Sequence, residues 1–571
     1  MMQNKFSLAI ELRYANGCNL QGLSREGIGV FLGNLIREAL QEGRNIHIYL
    51  IINISNIDAA QAFLSEYTNK DTVELIYDKD ETPILSSRLR KANLYYDSQA
   101  QFIYKTYDKT SQKVFDLKLQ HWHGALIQNK CMAIHLETIV NGDPVLDSED
   151  SIRVFRISIV KKENNTELII LDSQDVAINP GEGEELKASF IIDASCISNA
   201  TCLELHLICN NRIDSITTIS GLRIDLTCAN LKQDFCLEDE HHLDVETRIN
   251  NSTISSILFH HINTYHARYL RPCIYHMHDL VFLEHGFKYA KEMCSSENIQ
   301  EFILQSREAS GRIKDGSLVI FSSEHVRDRH FMKYSPHKFQ STKSVVIRNT
   351  FITSSFEESK QNISEEIQEI CDNLRPYITY PTQPRPTKQL ELLEEIVVRL
   401  REDNPTLKLV LTCSKEAYQN CHSRIPPDYI VFLAGVSRND LYHVYNRASL
   451  CIVTTCYEAS LPWQFLESLV AGTLSICYRS DIVDEFIRLG YLDQRLAEKA
   501  FFSTAEEAVR KASDLINFES RETSLFCSSK EYLASLQESL PSKSWNDITE
   551  HYLGAIKEFI RFGHHDRTPF R

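Results

Sequence analysis

The run Cys451-Ile-Val-Thr-Thr-Cys-Tyr-Glu458-Ala-Ser-Leu-Pro462-Trp-Gln-Phe-Leu-Glu467-Ser-Leu-Val-Ala-Gly472-Thr-Leu-Ser-Ile-Cys-Tyr478 decides the fold. Residues 449–455 are apolar and β-branched, which is strand character, and they end in a loop carrying Glu458. Pro462 suits a helix start, where its missing N–H is not needed. Trp463, Leu466, Leu469 and Val470 then recur at helical spacing, and Gly472 closes the segment. Residues 474–478 return to strand character. Strand, helix and strand make a βαβ unit, whose binding crevice lies at the carboxyl ends of its strands. Glu458 falls at that edge. Glu467 falls early in the helix, beside free N–H groups that attract phosphate. The stretch thus offers two carboxylates and an anion-attracting helix start around one small ligand. Each Glu also has a plainer reading, as a solvated side chain after a strand or on a helix.

The same alternation extends upstream. Residues 407–412 and 429–434 read as buried strands, and the turn Gly435-Val-Ser-Arg-Asn-Asp440 leads into a helix over 441–448. The segment Ile378-Thr-Tyr-Pro-Thr-Gln383-Pro-Arg385-Pro-Thr-Lys388 opens this half of the chain. A helix with Leu392, Leu393, Ile396, Val397 and Leu400 on one face follows it. Arg385 and Lys388 stand where a strand hands over to that helix. Positive charge there would stabilise a diphosphate and the charge on it as a leaving group. The polar stretch 353–359 reads as a linker.

The N-terminal half begins with a strand over 6–13, a glycine-bearing loop over 19–29, and a helix with Val30, Phe31, Leu35 and Leu40. A strong strand over 46–54 follows. That order is typical of a nucleotide-handling α/β domain. Gly27 and Gly29 would let a ligand approach the backbone at a helix start. Gly27, Gly29 and Gly33 leave three residues in the last gap where a dinucleotide fingerprint has two. No acid ends the second strand, which counts against a nicotinamide cofactor. Over 112–235 the texture changes. Residues 131–139, 153–160, 186–193, 203–209 and 222–227 alternate or run β-branched between turn-like stretches. This predicts an all-β sandwich inserted in the first domain. It could bind carbohydrate, act as a spacer or dimerise the chain. Near Tyr269 the α/β pattern resumes. A short strand over 274–277 would deliver His278 and Asp279 to a crevice edge, where a His can exchange a proton and an Asp can orient it. His276 is the alternative. Metal binding by His276 and His278 lacks an apparent third ligand.

With 571 residues the chain is long enough for two or three domains. Its net charge of −16 counts against bulk nucleic-acid binding. The longest apolar run, 46–54, is too short to span a bilayer, and the N-terminus lacks a secretory signal pattern. The 16 cysteines include no C-x-x-C pair and read as reduced, mostly buried hydrophobes of a cytoplasmic protein. Basic spots at Arg88–Lys91 and from Arg561 onward could meet a phospholipid or a lipid-linked acceptor at a membrane face, or lie on a solvated helix face.

Taken in order, these segments resemble the retaining GT-B glycosyltransferases of the glycogen-synthase and mannosyltransferase type. Glu458…Pro462…Glu467-Ser-Leu-Val-Ala-Gly-Thr is similar to their paired-glutamate motif. The loop at Gly27 and Gly29, the strand end at His278, and the steps at Ser322-Ser-Glu324 and Arg348-Asn349 follow in the family's order. The resemblance implies an α/β GT-B fold with two Rossmann-like domains facing a cleft, the β insertion apart. The first domain would comprise 1–110 and 240–350, the insertion 112–235 and the nucleotide-sugar domain 351–545. The last helix, 546–571, would cross back to the first domain. It implies transfer of a hexose, with retention, from a nucleotide diphosphate sugar to a glycan or lipid-linked acceptor, without a metal or other cofactor. Lys388 and Arg385 would hold the diphosphate, Glu467 the ribose, Glu458 the sugar hydroxyls and His278 the reacting centre. Gly27, Gly29, Gly435, Ser460 and Leu461 would line the donor. The chain departs from the family twice. Eight residues, not seven, separate the glutamates, and Gln383 stands where the family has an Arg. A catalytically silent sugar or nucleotide-sugar binder on the same fold is the alternative that these departures keep open.

Overall fold

The computed structural model describes residues 6–12, 27–41, 46–52, 60–61, 73–77, 90–96, 100–103, 111–116, 131–142, 153–163, 167–178, 184–193, 202–210, 216–229, 249, 252, 254–259, 269, 271–277, 309–348, 363–384, 388–422, 425–456, 458–516, 529–540 and 543–563. The first parallel sheet comprises β1 (Phe6–Glu11), β2 (Ile46–Ile52), β3 (Val73–Tyr77), β13 (Ser256–Phe259), β14 (Ile274–Met277), β15 (Leu318–Phe321) and β16 (Lys343–Val346). Its spatial order is β16-β15-β14-β13-β1-β2-β3. Counted along this sheet alone, the order is 3-2-1-4-5-6-7, the doubly wound arrangement with a switch point between its first and fourth strands. Helix α1 (Gly27–Ala39) joins β1 to β2. It starts at Gly27 and buries Leu32, Leu35, Ile36 and Ala39 against the sheet.

The second parallel sheet repeats the plan. Its strands are β17 (Tyr377–Tyr380), β18 (Lys408–Leu411), β19 (Ile430–Phe432), β20 (Leu450–Val453), β21 (Ser475–Tyr478) and β22 (Phe501–Phe502). They lie in the order β19-β18-β17-β20-β21-β22, again 3-2-1-4-5-6. Strands of this kind are buried on both faces, which is why they read as continuous apolar runs such as Leu450-Cys-Ile-Val. Helices α2 (Leu390–Asp403), α3 (Arg438–Arg447), α4 (Trp463–Val470) and α5 (Asp481–Arg488) follow β17, β19, β20 and β21.

Between the third and fourth strands of the first sheet the chain forms two antiparallel sheets. Their strands are β4 (Arg90–Tyr96), β5 (Ala100–Ile103), β6 (Ser111–Asp116), β7 (Cys131–Gly142), β8 (Arg153–Glu163), β9 (Glu167–Ile178), β10 (Glu184–Asp193), β11 (Cys202–Asn210) and β12 (Ile216–Ala229). One sheet runs β10-β7-β12-β4, with β5 also on β12, and the other runs β6-β11-β8-β9. The strands therefore begin at Arg90, ahead of the expected 112–235 stretch. Arg90 and Lys91 open β4, so these two residues of the basic spot are strand and not a helix face, while Arg88 lies outside the described residues. Long pairings explain this: β4 matches β12 from Arg90 opposite Cys228 to Tyr96 opposite Leu222.

Strand β9 is seated on the first domain by a buried polar cluster. The Asp175 carboxylate accepts from the backbone N–H groups of His337 (3.0 Å) and Lys338 (3.3 Å). Lys338 is wholly buried and donates to Ser173 Oγ (3.2 Å) and Asp315 (3.0 Å). Lys314 donates to Asp172 at 2.9 Å. Contact is so close that a Cβ on Gly311 would lie 1.8 Å from the Asp175 carbonyl oxygen. Backbone cannot yield to that overlap cheaply. Gly311→Ala is therefore expected to cost about 3 kcal/mol or more in chemical denaturation. A variant as stable as the parent would disprove the close seating.

Two further contacts fix the second domain on the first. Glu485 of α5 is buried, and its carboxylate accepts from the N–H groups of Glu324 (3.1 Å) and His325 (2.8 Å) and from Arg348 Nε (2.9 Å). The last helix, α6 (Trp545–Gly563), buries Ile548, Tyr552, Leu553, Ile556 and Phe559 in the core of the first sheet. Trp545 stacks on Trp463 of α4 at a centroid distance of 5.9 Å. Among the described residues no helix is long and apolar enough to cross a membrane.

Candidate active site

In the second sheet the strand order reverses between β17 and β20, so the loops leaving these two strands diverge and open a crevice at their carboxyl ends. Lys388 comes from the first loop and Thr455 and Glu458 from the second. Lys388 Nζ donates to Glu458 Oε1 at 2.7 Å and lies 3.5 Å from Thr455 Oγ1. Thr455 Oγ1 donates to the same carboxylate oxygen at 2.9 Å. The Lys388 backbone is pinned by a 2.7 Å hydrogen bond from Thr454 Oγ1 to its carbonyl. Next to it, Gln389 is held in the left-handed region at φ 45°, an uncommon conformation for a side-chain-bearing residue that often marks a functional loop. Burial pushes the nearby Tyr380 phenol well above its ordinary value, and the Glu458 carboxylate adds to the rise.

A second acid–base pair lies on the neighbouring helices. Gly435 takes φ 71°, a conformation that favours glycine, and turns the chain into α3. Ser437 caps that helix by accepting from Asp440 N–H at 3.1 Å. This aims Arg438, the first helical residue, at α4. Arg438 Nη1 donates to Glu467 Oε1 at 3.1 Å, and the buried Tyr445 hydroxyl donates to Oε2 at 3.4 Å. Helix α4 starts after Pro462 and ends at Gly472 in the left-handed conformation, φ 80°. Thr473 N–H bonds back to Ser468 O and Gly472 N–H to Leu469 O, a Schellman end. The eight-residue helix is thereby defined at both ends. Its entry loop is buried as well: Ala459 joins the core of the first domain and Leu461 that of the second. The Ser460 hydroxyl in the same loop is buried with no hydrogen-bond partner among the described residues.

A lysine–carboxylate pair at a switch point, beside a carboxylate held by an arginine, suits a ligand with both anionic and hydroxyl groups. Residues 364–525 match the family described as Glycosyl transferases group 1. No curated protein matches the chain. Among solved structures it is similar to Anabaena HepE in complex with UDP and glucose, at 15% identity and TM-score 0.40, over 57% of this chain and 84% of that one. It is similar to the pneumococcal O-GlcNAc transferase GtfA in complex with UDP and GlcNAc, at 10% identity and TM-score 0.45, over 99% and 100%. It is also similar to a sucrose-phosphate synthase of Thermosynechococcus elongatus, at 12% identity and TM-score 0.39, over 56% and 76%.

Within the matched segment, Lys388 and Glu458 meet, and Glu467 lies on the next helix with its carboxylate already engaged. Gly435 makes the turn into α3. Gln383 is exposed. Arg385 and His278 lie outside the described residues. Gly27 and Gly29 fall in the first turn of α1, in the other domain. His276, the alternative to His278, is not a cleft residue. It is buried, and its Nε2 lies 2.7 Å from the Tyr552 hydroxyl of α6, because residue 276 faces the side of the sheet that this helix covers. Arg438, Tyr445 and Thr455 are the partners the sequence reading missed. The spacing of Arg438 from the cap Ser437 was the available signal. The cysteines fit the reading as buried hydrophobes: Cys273, Cys371, Cys413, Cys451 and Cys477 are buried. Burial pushes the Cys273 and Cys451 thiols up to about 12.

Proposed function

We propose that the protein is a GT-B glycosyltransferase that moves a hexose, with retention, from a nucleotide diphosphate sugar to a glycan or lipid-linked saccharide. The observation that carries this reading is the Lys388–Glu458 pair at the switch point of a group 1 glycosyltransferase domain. Lys388, with Arg385 beside it in sequence, supplies fixed positive charge to the departing diphosphate in place of a metal. Glu458 accepts from sugar hydroxyls. Glu467, oriented by Arg438 and Tyr445, accepts from the ribose hydroxyls. His278 and the loop at Gly27 and Gly29 serve the acceptor side. The antiparallel sheets, fixed to the first domain, would bind carbohydrate, act as a spacer or dimerise the chain. Contact with a membrane face would follow from a lipid-linked acceptor.

A panel of nucleotide sugars tests the reading, with the anomeric configuration of the product read by NMR. Turnover with retention supports it. Binding without turnover supports a silent nucleotide-sugar binder, the reading that the eight-residue spacing favours. Glu467→Ala is expected to weaken nucleoside diphosphate binding about tenfold, the loss of a charged hydrogen-bond acceptor. Calorimetry that finds equal affinities would remove Glu467 from the site.

A further inference from the structure

We infer that Glu458 competes with the diphosphate for Lys388, so that the site selects a nucleoside diphosphate that carries its sugar over the bare nucleoside diphosphate. The inference rests on the proposed nucleotide-sugar site and specifies what that site prefers. The Lys388 ammonium is already neutralised within the protein, at 2.7 Å from Glu458 Oε1. The same oxygen takes the Thr455 hydroxyl, so the carboxylate is held in place by two donors. Neither side chain is free in solvent: relative exposures are 16% for Lys388 and 24% for Glu458. A diphosphate that engages Lys388 must therefore loosen this pair or bring its own charge up against the carboxylate. Like charges in a partly desolvated site repel more strongly than in water.

A donor sugar changes that balance. Its hydroxyls donate hydrogen bonds, and a carboxylate accepts them, so the sugar replaces the donor that Glu458 loses. The Ser460 hydroxyl, two residues along the same loop, is buried and unpartnered among the described residues, and adds a polar group on that side. A bare nucleoside diphosphate repels Glu458 and returns nothing to it. The pair thus works against the product of transfer more than against the donor, which favours product release.

Glu458→Gln tests this, because it keeps the shape and removes the charge. Binding of UDP, GDP and ADP, and of their glucose and N-acetylglucosamine conjugates, is measured by calorimetry for parent and variant. For the nucleotide the parent binds, the variant is expected to hold the bare diphosphate about tenfold more tightly. Its affinity for the sugar conjugate should stay level or fall. The tightening should vanish when Lys388→Ala is added. A variant that binds the diphosphate no more tightly than the parent overturns the inference, as does a gain that survives loss of Lys388. If the parent binds no compound of the panel, the proposed function falls and the inference with it. If the parent binds the conjugates but the selection does not depend on Glu458, only the inference falls.

Discussion

Lys388→Ala is expected to lower turnover with the sugar donor about a hundredfold or more, the usual consequence of removing a group that stabilises charge developing in the transition state. Lys388 stands on the loop leaving β17, at the point where the second sheet reverses its strand order. Its backbone is fixed by Thr454 and by the left-handed Gln389 beside it. The ammonium therefore does not have to be ordered when charge builds on a departing diphosphate. Ground-state binding should suffer less than turnover, because the charge on the bridging oxygen appears only as the glycosidic bond breaks. Lys388→Arg should recover part of the loss. Steady-state kinetics with a melting curve for each variant makes the check. A folded Lys388→Ala protein with unchanged kcat would place the charge stabilisation elsewhere.

The legible part of the molecule is the part whose periodicity is local. Leu450-Cys-Ile-Val and Ser475-Ile-Cys-Tyr announce buried parallel strands because helices cover both faces, and Pro462 and Gly472 mark the helix between them. From these the switch point, and with it Lys388 and Glu458, could be placed. The antiparallel region was legible in kind but not in extent. The segment Glu167–Ile178 contains Asp172, Gln174 and Asp175, polar groups that interrupt a strand signal. They are polar because they dock on the first domain, a tertiary cause that no local pattern carries. The partners of Glu467 were hidden for the same reason: Arg438 lies 29 positions away and meets it only through the packing of α3 beside α4. His276 and Glu485 show the reverse case, in which a polar residue near a strand end or on a helix serves contact between domains rather than a ligand.

Removing the buried cation beneath β9 should destabilise the fold more than any other single charge deletion on this face. Lys338→Met leaves Asp175 and Asp315 without it. Loss of one member of a buried charge set costs about 3–5 kcal/mol, because the remaining charge stays desolvated. Asp175 itself is under strain of the same kind. Burial pushes its pKa up to about 6 from an ordinary 3.8, while Lys338 and the N–H groups of Lys338 and His337 pull the other way without cancelling the rise. A carboxyl raised on folding contributes stability that is fully present below its unfolded value and is lost as pH climbs through the folded one. The parent should therefore lose stability between about pH 4 and pH 6 relative to Asp175→Asn, by on the order of 3 kcal/mol. The two changes must also couple. In an Asp175→Asn background there is less buried negative charge to strand, so Lys338→Met should cost clearly less than in the parent. Urea denaturation of the four proteins at pH 4 and pH 7 measures both effects. Equal costs of Lys338→Met in the two backgrounds would show that Lys338 serves Asp315 and Ser173 alone. If β9 is held as the structure has it, the antiparallel sheets keep one orientation on the first domain.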